Sequence, residues 1–147
     1  MEKEILSILT IAPHHTESRR IEESLSRSKI AAKIQFVRSN YEAIRLLGQK
    51  KFDLLLTDHD PPAANVLTLL MMMKRNHFNQ PVIVIAKESG IEVVREAFKM
   101  GVDDYILKEQ LDTVALYHII GTALEKRKSR DELLEAQNKL RELAERD

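Results

Sequence analysis

The sequence predicts an α/β fold, a doubly wound parallel sheet of five strands with helices on both faces. Short apolar runs alternate along the chain with longer segments of helical periodicity, which is the order of elements in parallel sheets with crossover helices. Two of these runs, 54–56 and 81–86, are apolar at successive positions, as expected for strands covered on both faces. The length of 147 residues suits one domain with a hydrophobic core and an appendage.

The first half of the chain is predicted to contain three strands and two helices. The strands are expected at 5–12, at 30–37 and in the run 54–56 that ends at Asp58, and the first helix at 17–28. Thr16 is predicted to cap that helix. Ser39 and Glu42 have the spacing of a capping box for the second helix, which Gly48 is placed to end.

The second half is predicted to continue the alternation with helices at 63–76 and up to Met100, and strands at 81–86 and 104–107. Ser89 and Glu92 form a second capping box, and Gly101 is expected to end that helix in a left-handed conformation. From Asp112 the pattern is helical to the last residue.

Right-handed crossovers favour the flavodoxin-like (βα)5 strand order 2-1-3-4-5, with an extended C-terminal helix. In that order the carboxyl ends of strands one, three, four and five meet at one edge of the sheet. That edge would collect the segments 12–14, 58–60 and 86–87 together with Lys108. Ligands of open α/β sheets bind at this edge.

Composition excludes several classes of protein. Lys plus Arg and Asp plus Glu both number 23, so net charge gives no argument for a nucleic-acid partner. The absence of cysteine excludes disulfides and thiolate chemistry. The apolar run 5–11 is too short and polar for a signal peptide, and no stretch approaches a membrane span. We therefore expect a cytoplasmic protein without membrane contact.

Three segments resemble the CheY-like receiver domain of bacterial response regulators in two-component signal transduction. They are 52–58 with Pro62 four residues on, 81–85, and 97–108. The resemblance covers about 4–123. It implies phosphorylation of Asp58 by a histidine kinase, with Lys108 pairing with the phosphate and Tyr105 following the switch. In such domains an acidic pair after strand one helps to hold Mg²⁺, and a Ser or Thr after strand four bonds the phosphate.

The chain departs from that pattern at three of these positions. The acidic pair falls on Ala12 and Pro13, which offer no carboxylate, and the switch hydroxyl falls on Ala86, which offers no donor. We interpret the domain as a degenerate receiver, or pseudo-receiver, with no catalytic residue and no cofactor. The alternative is a working receiver phosphorylated on Asp58, which would need Mg²⁺; Asp58 and Asp60 are then its candidate ligands.

Without the acidic pair, Lys108 is predicted to form a direct ion pair with Asp58, because a lone charge in a partly buried cleft is costly. Histidines 14, 15 and 59 are expected on loops near Asp58 and Asp60. Together these groups suggest a weaker alternative, a transition-metal site, although they lack the spacing of one.

The C-terminal helix divides the chain into a receiver-like domain at 1–125 and a helical, coiled-coil linker at 126–147. Ser129, Leu133, Ala136, Leu140 and Leu143 recur at steps of four and three, which predicts a seam for a parallel homodimer. The alternative is an exposed helix held by opposite-charge pairs four residues apart. Those pairs are Arg127–Asp131, Lys128–Glu132, Glu135–Lys139 and Glu142–Arg146.

The helix pattern carries no stop signal at Asp147, so we expect the linker to continue into a covalently attached output domain. Residues 140–147 resemble the approach to a GGDEF diguanylate cyclase, which is favoured over a histidine-kinase or PAS neighbour. The predicted function is a non-enzymatic regulatory module that relays the input of a histidine kinase or another protein. A stand-alone adaptor is a further alternative.

Overall fold

The computed structural model describes residues 5–146; the charged start 1–4 and Asp147, the last residue of the predicted C-terminal helix, lie outside this range. Within it, five strands alternate with five α-helices. The elements are β1 (Leu6–Ile11), α1 (His15–Ser26), β2 (Ala32–Val37), α2 (Asn40–Leu47), β3 (Leu54–Asp58), α3 (Val66–Arg75), β4 (Val82–Ala86), α4 (Ile91–Lys99), β5 (Asp104–Leu107) and α5 (Thr113–Ala144). Short 3-10 helices lie at Glu88–Gly90 and Lys108–Gln110.

All strand pairs are parallel, in the order β2-β1-β3-β4-β5. This confirms the predicted flavodoxin-like topology. The register pairs Asp58 of β3 with Ile85 of β4, and Ala86 of β4 with Leu107 of β5. The carboxyl ends of three strands therefore lie side by side, as the sequence predicts.

The core lies in two layers, one on each face of the sheet. Leu55 faces the layer formed with α2, α3 and α4, whereas Leu54 and Leu56 face the layer formed with α1 and α5. All three leucines are fully buried, and each is worth roughly 1.5–3 kcal/mol of transfer free energy. A strand with both faces buried has no polar alternation, which explains the continuous apolar run.

Predicted helix signals are confirmed at Ser39 and Gly101, and the structure adds a cap at Asp112. The Ser39 hydroxyl accepts a hydrogen bond from the Glu42 amide at 3.3 Å and caps α2. Gly101 has φ +106° and closes α4 in the left-handed region. Asp112 caps α5 by accepting the Ala115 amide at 2.8 Å. Side-chain caps of this kind satisfy amides that have no partner within the helix.

Two predicted caps are wrong. The first helix begins at His15, two residues before the predicted start, so Thr16 lies inside it and the capping residue His14 makes no side-chain cap. Ser89 lies in the 3-10 helix that precedes α4, whose N-cap is Gly90. A capping pattern in the sequence does not show where the preceding strand ends, so it does not fix the first residue of the helix.

The third helix starts at Val66 rather than at the predicted Ala63. Residues 60–64 form a turn closed by an isolated bridge between Asp60 and Ala64. Asn65 then caps the helix, since its side-chain oxygen accepts the Leu67 amide at 3.0 Å. An Asn with two helix amides within reach is a stronger start signal than the prolines before it.

The long helix α5 is attached to the sheet by Arg127. Its guanidinium makes a double contact with the carboxylate of Asp103, with Nη2 at 3.0 Å from Oδ2 and Nε at 3.4 Å from Oδ1, and also donates to the carbonyl of Asn79. Asp103 in turn accepts the Val82 amide at 2.8 Å, so the arginine is fixed to the starts of β4 and β5.

This contact corrects the predicted pairing of Arg127 with Asp131, because a nearly buried carboxylate binds the arginine more strongly than an exposed one in the next turn. Within residues 5–146, the other three predicted pairs of the tail are not within ion-pair distance either. Residues 128–146 are all exposed. Of the described helices, none is long and apolar enough to cross a membrane.

Candidate functional site

Asp58 and Lys108 meet at the carboxyl edge of the sheet. Asp58 is the last residue of β3 and is fully buried, and Lys108 follows β5 directly. The Lys108 Nζ atom lies 3.0 Å from Asp58 Oδ1. The predicted direct ion pair is therefore present in the structure.

Few neighbouring groups compensate the negative charge of the buried Asp58 carboxylate. Although Lys108 is in charge contact, neither carboxylate oxygen accepts a well-aligned hydrogen bond from the described residues. Burial raises the pKa of Asp58 from 3.8 to about 6; Lys108 opposes this rise, while the negative charges of Glu17 and Asp60 add to it. A buried acid with this pKa costs stability when it ionises.

Glu17 is a third member of the site that the sequence analysis missed. Its Oε1 lies 3.6 Å from Lys108 Nζ, on the first turn of α1. Arg20, three residues on, donates from Nη2 to the Lys108 carbonyl at 2.9 Å. The available signal was the four-residue spacing from Glu17 to Ile21 and Leu25, which places the carboxylate on the buried stripe of α1.

The positions of the acidic pair hold a different arrangement. Ala12 is fully buried, and Pro13 is half-buried. Arg38, at the end of β2, donates from Nη1 to the Ala12 carbonyl at 2.9 Å and to the Ser18 hydroxyl at 2.8 Å. The guanidinium of Arg38 thus lies beside the loop where the family pattern has carboxylates. The sequence analysis did not identify this arginine.

Ala86 and Tyr105 lie on the side of the sheet that packs against α4. Ala86 ends β4 and is fully buried. The half-buried Tyr105 ring stands edge-on to Phe98 of α4, with ring centroids 5.8 Å apart and an interplanar angle of 88°. The structure therefore brings the two switch-equivalent positions to one layer, with a methyl group where the pattern has a hydroxyl.

The three histidines do not converge. His14 Nε2 lies 2.9 Å from Asp60 Oδ2, and His15 Nδ1 lies 2.9 Å from Nη2 of Arg38. His59 Nδ1 accepts the Val66 amide at 3.1 Å, so this nitrogen carries no proton, in keeping with burial that lowers the pKa of His59.

The described side chains fit a metal poorly. In residues 5–146, no cluster of three or more His, Cys, Asp and Glu side chains has the geometry to hold an ion. An ammonium group already contacts Asp58, and positions 12 and 13 supply no side-chain oxygen. Mg²⁺ binds through carboxylates and water at short distances, and this edge offers it few of the former.

The predicted dimer seam lies on the exposed part of α5. Leu133, Leu140 and Leu143 are 60%, 67% and 53% exposed, and Ala136 is exposed as well. The seam residues therefore do not pack into the core of the domain. Exposed leucines at this spacing have the pattern of a surface that another helix covers.

Known proteins support the assignment of the fold and of the family. The family model of the response regulator receiver domain matches residues 8–121. Response regulator protein PilR of Pseudomonas aeruginosa is 30% identical over 120 residues, 82% of this chain and 26% of PilR. The regulator of RpoS of Escherichia coli is 28% identical over 97 residues, 66% of this chain and 29% of that protein. The chain thus spans less than a third of the length of either relative.

A solved structure agrees with the topology. The signal receiver domain of an HD domain-containing protein from Pseudomonas fluorescens Pf-5 superposes with a TM-score of 0.75 at 21% identity, covering 90% of this chain and 96% of that one. That identity shows the fold alone, whereas the family model matches most of the chain. Together with the edge where Asp58 meets Lys108, these findings show that the chain belongs to the response regulator receiver domain family.

Proposed function

We propose that this receiver domain is a pseudo-receiver, a signal-transduction module that is not phosphorylated in the usual Mg²⁺-dependent way. Receiver domains are generally non-enzymatic regulatory modules, and we assign this chain no catalytic residue and no cofactor. The observation that carries the proposal is the direct contact of Lys108 with Asp58, 3.0 Å, at an edge without carboxylates at 12 and 13.

The groups that this chain lacks are needed at two successive stages of Mg²⁺-dependent phosphorylation. A divalent ion that neutralises the phosphoryl oxygens needs carboxylate ligands, and Ala12 and Pro13 remove two of them. A phosphoryl group on Asp58 would then meet Ala86, which has no hydroxyl to donate. Both the formation of the phosphoryl group and the response to it are weakened.

A phosphoryl analogue tests this proposal. We expect the chain to show no saturable binding of beryllofluoride in the presence of Mg²⁺, and no incorporation from acetyl phosphate, measured by NMR of the amides near Asp58 and by intact mass. A conventional receiver domain serves as the positive control. Saturable binding that is lost in Asp58→Asn would contradict the proposal.

That contrary outcome would establish the second candidate, a working receiver phosphorylated on Asp58 by a histidine kinase. Two observations favour this candidate. Asp58 and Lys108 are both retained, and neither oxygen of Asp58 is taken by a well-aligned hydrogen bond among the described residues. Under this alternative Asp58 and Asp60 are the side chains available to Mg²⁺.

We further propose that residues 1–125 receive the input, from a histidine kinase or another protein, and that residues 126–147 transmit it as a homodimeric linker. The direction of the seam supports this division. At 100° per residue, the seam lies roughly 145° around α5 from its buried residues Leu116, Ile120 and Ala123. A second copy's helix can therefore lie along the seam without displacing the core of the domain.

The linker is proposed to connect to a covalently attached output domain, with a diguanylate cyclase favoured. The resemblance of 140–147 to the approach of a GGDEF domain supports this choice. Cyclases of that kind need two halves brought together, which a parallel helical pair would provide. We place the protein in the cytoplasm, without a nucleic-acid or membrane partner for this domain.

Substitution on the seam tests the dimer. Leu140→Glu is expected to abolish self-association, because it places a charge at the centre of the apolar contact, whereas the wild type should associate at micromolar concentrations. Sedimentation equilibrium measures both. Leu134→Glu is the matched control, since Leu134 is similarly exposed at 55% but lies about 140° around the helix from the centre of the seam. Equal effects of the two substitutions would contradict a specific seam.

A further inference from the structure

We propose that Glu17 is a built-in competitor for Lys108, a positioning residue that keeps the lysine from serving an anionic group at Asp58. The proposal rests in part on the pseudo-receiver function and deepens it. It names a residue whose ion contact with Lys108 occupies the lysine at a site that lacks the carboxylates for a metal.

Lys108 lies between two carboxylates. Its Nζ atom is 3.0 Å from Asp58 Oδ1 and 3.6 Å from Glu17 Oε1. The three side chains are nearly closed off from solvent, with exposed fractions of 10% for Lys108, 0% for Asp58 and 21% for Glu17. At such depth a charge contact is screened less than on the surface.

Helix α1 contacts both the side chain and the backbone of Lys108. Glu17 contacts the ammonium group, while Arg20 donates to the Lys108 carbonyl at 2.9 Å. The same carbonyl accepts the amide of Leu111 at 3.3 Å, which closes the short turn after β5. With its backbone fixed in this way, the lysine side chain stays between the two carboxylates.

The contacts of Lys108 place one ammonium group against two carboxylates. The guanidinium groups that face this edge, those of Arg20 and Arg38, are engaged with the backbone carbonyls of Lys108 and Ala12. A phosphoryl group on Asp58 would add negative charge and would draw on Lys108 for compensation. It would then compete with Glu17 for the lysine and be repelled by it.

A double-mutant cycle tests the sharing of Lys108 directly. We expect Glu17→Gln to destabilise the fold and so to raise the equilibrium constant for unfolding. The factor of this rise should be at least about threefold larger in an Asp58→Asn background than in the wild type. The reason is that Asp58 repels Glu17, so removing Asp58 leaves the attraction of Glu17 to Lys108 unopposed. Urea unfolding at pH 8 measures all four variants, and Glu22→Gln, an exposed change on the same helix, is the matched control.

Binding of beryllofluoride with Mg²⁺ is the second measurement. Glu17→Gln is expected to bind it at least roughly tenfold more tightly than the wild type, the order of effect of removing one nearby charge from a partly closed site. Binding should therefore become detectable in this variant, whereas Glu22→Gln should match the wild type and show no saturable binding. Additive substitutions in the cycle, or equal affinities of wild type and Glu17→Gln including no binding by both, would overturn the proposal.

The two measurements separate this inference from the pseudo-receiver function. Saturable binding by the wild type would contradict the pseudo-receiver, yet the ratio between wild type and Glu17→Gln would still report on Glu17. Conversely, a wild type that does not bind while the cycle is additive would contradict the role of Glu17 alone.

Discussion

Replacing Asp58 with Asn is expected to stabilise the folded domain at pH 8 by about 2–3 kcal/mol. Burial raises the pKa of Asp58 from 3.8 to about 6 in the folded state. A raised pKa means that the folded state prefers the protonated acid, and about two pKa units correspond to about 3 kcal/mol. Asn resembles the protonated acid in shape and charge, so it removes the cost of ionisation at neutral pH and above.

The sign of the pH dependence follows from the same shift. Because the folded-state pKa lies above the unfolded one, the contribution of Asp58 to stability is complete below pH 3.8 and is lost as the pH rises through about 6. Urea unfolding at several pH values should therefore show a gain for Asp58→Asn at pH 8 that disappears near pH 4. Asp131→Asn, an exposed change on the tail, should show no such trend. A gain that does not vary with pH would contradict this account.

Replacing Lys108 with Met is expected to have the largest effect of any single substitution at the site, a loss of about 3–5 kcal/mol at pH 8. The change leaves the buried Asp58 carboxylate without the ammonium group 3.0 Å away, and it leaves Glu17 without its partner at 3.6 Å. Since Lys108 lowers the pKa of Asp58, its removal should raise that pKa further.

Chemical denaturation of Lys108→Met and of the double variant with Asp58→Asn measures this effect. The double variant should recover much of the loss, because Asn no longer presents an uncompensated charge, and the two substitutions will not be additive. The loss should also shrink as the pH falls and Asp58 becomes protonated. Lys87→Met, which changes an exposed lysine just after β4, is the control. Equal losses at Lys87 and Lys108 would contradict a role for the ion pair.

The strand pattern predicted most of the architecture. Runs such as 54–56 and 81–86 are apolar at every position because both faces of the sheet are covered, and that property is local to the sequence. Right-handed crossovers then left few topologies, and one of them placed Asp58 beside Lys108. The ion pair between them followed from the cost of an isolated charge, which needs no coordinates.

The partners from other elements could not be predicted in this way. Glu17 and Arg38 reach the site from α1 and from the end of β2, and their contacts depend on how those elements pack on the sheet. For Arg127 the local pattern suggested Asp131 four residues away, but tertiary structure supplied Asp103 with better geometry. Side chains that bridge distant segments are where a pattern read along the chain is least informative.

Because Arg127 attaches α5 to the sheet, a rotation of the helix at this residue would move its far end. The exposed part of the helix, 128–144, extends about 25 Å beyond Arg127 at 1.5 Å per residue. A rotation of about 10° at Arg127 would displace the far end by about 4 Å, by simple geometry on that length. Because Asp103 also binds the start of β4 through Val82, Arg127 links the long helix directly to the strand that ends at Ala86.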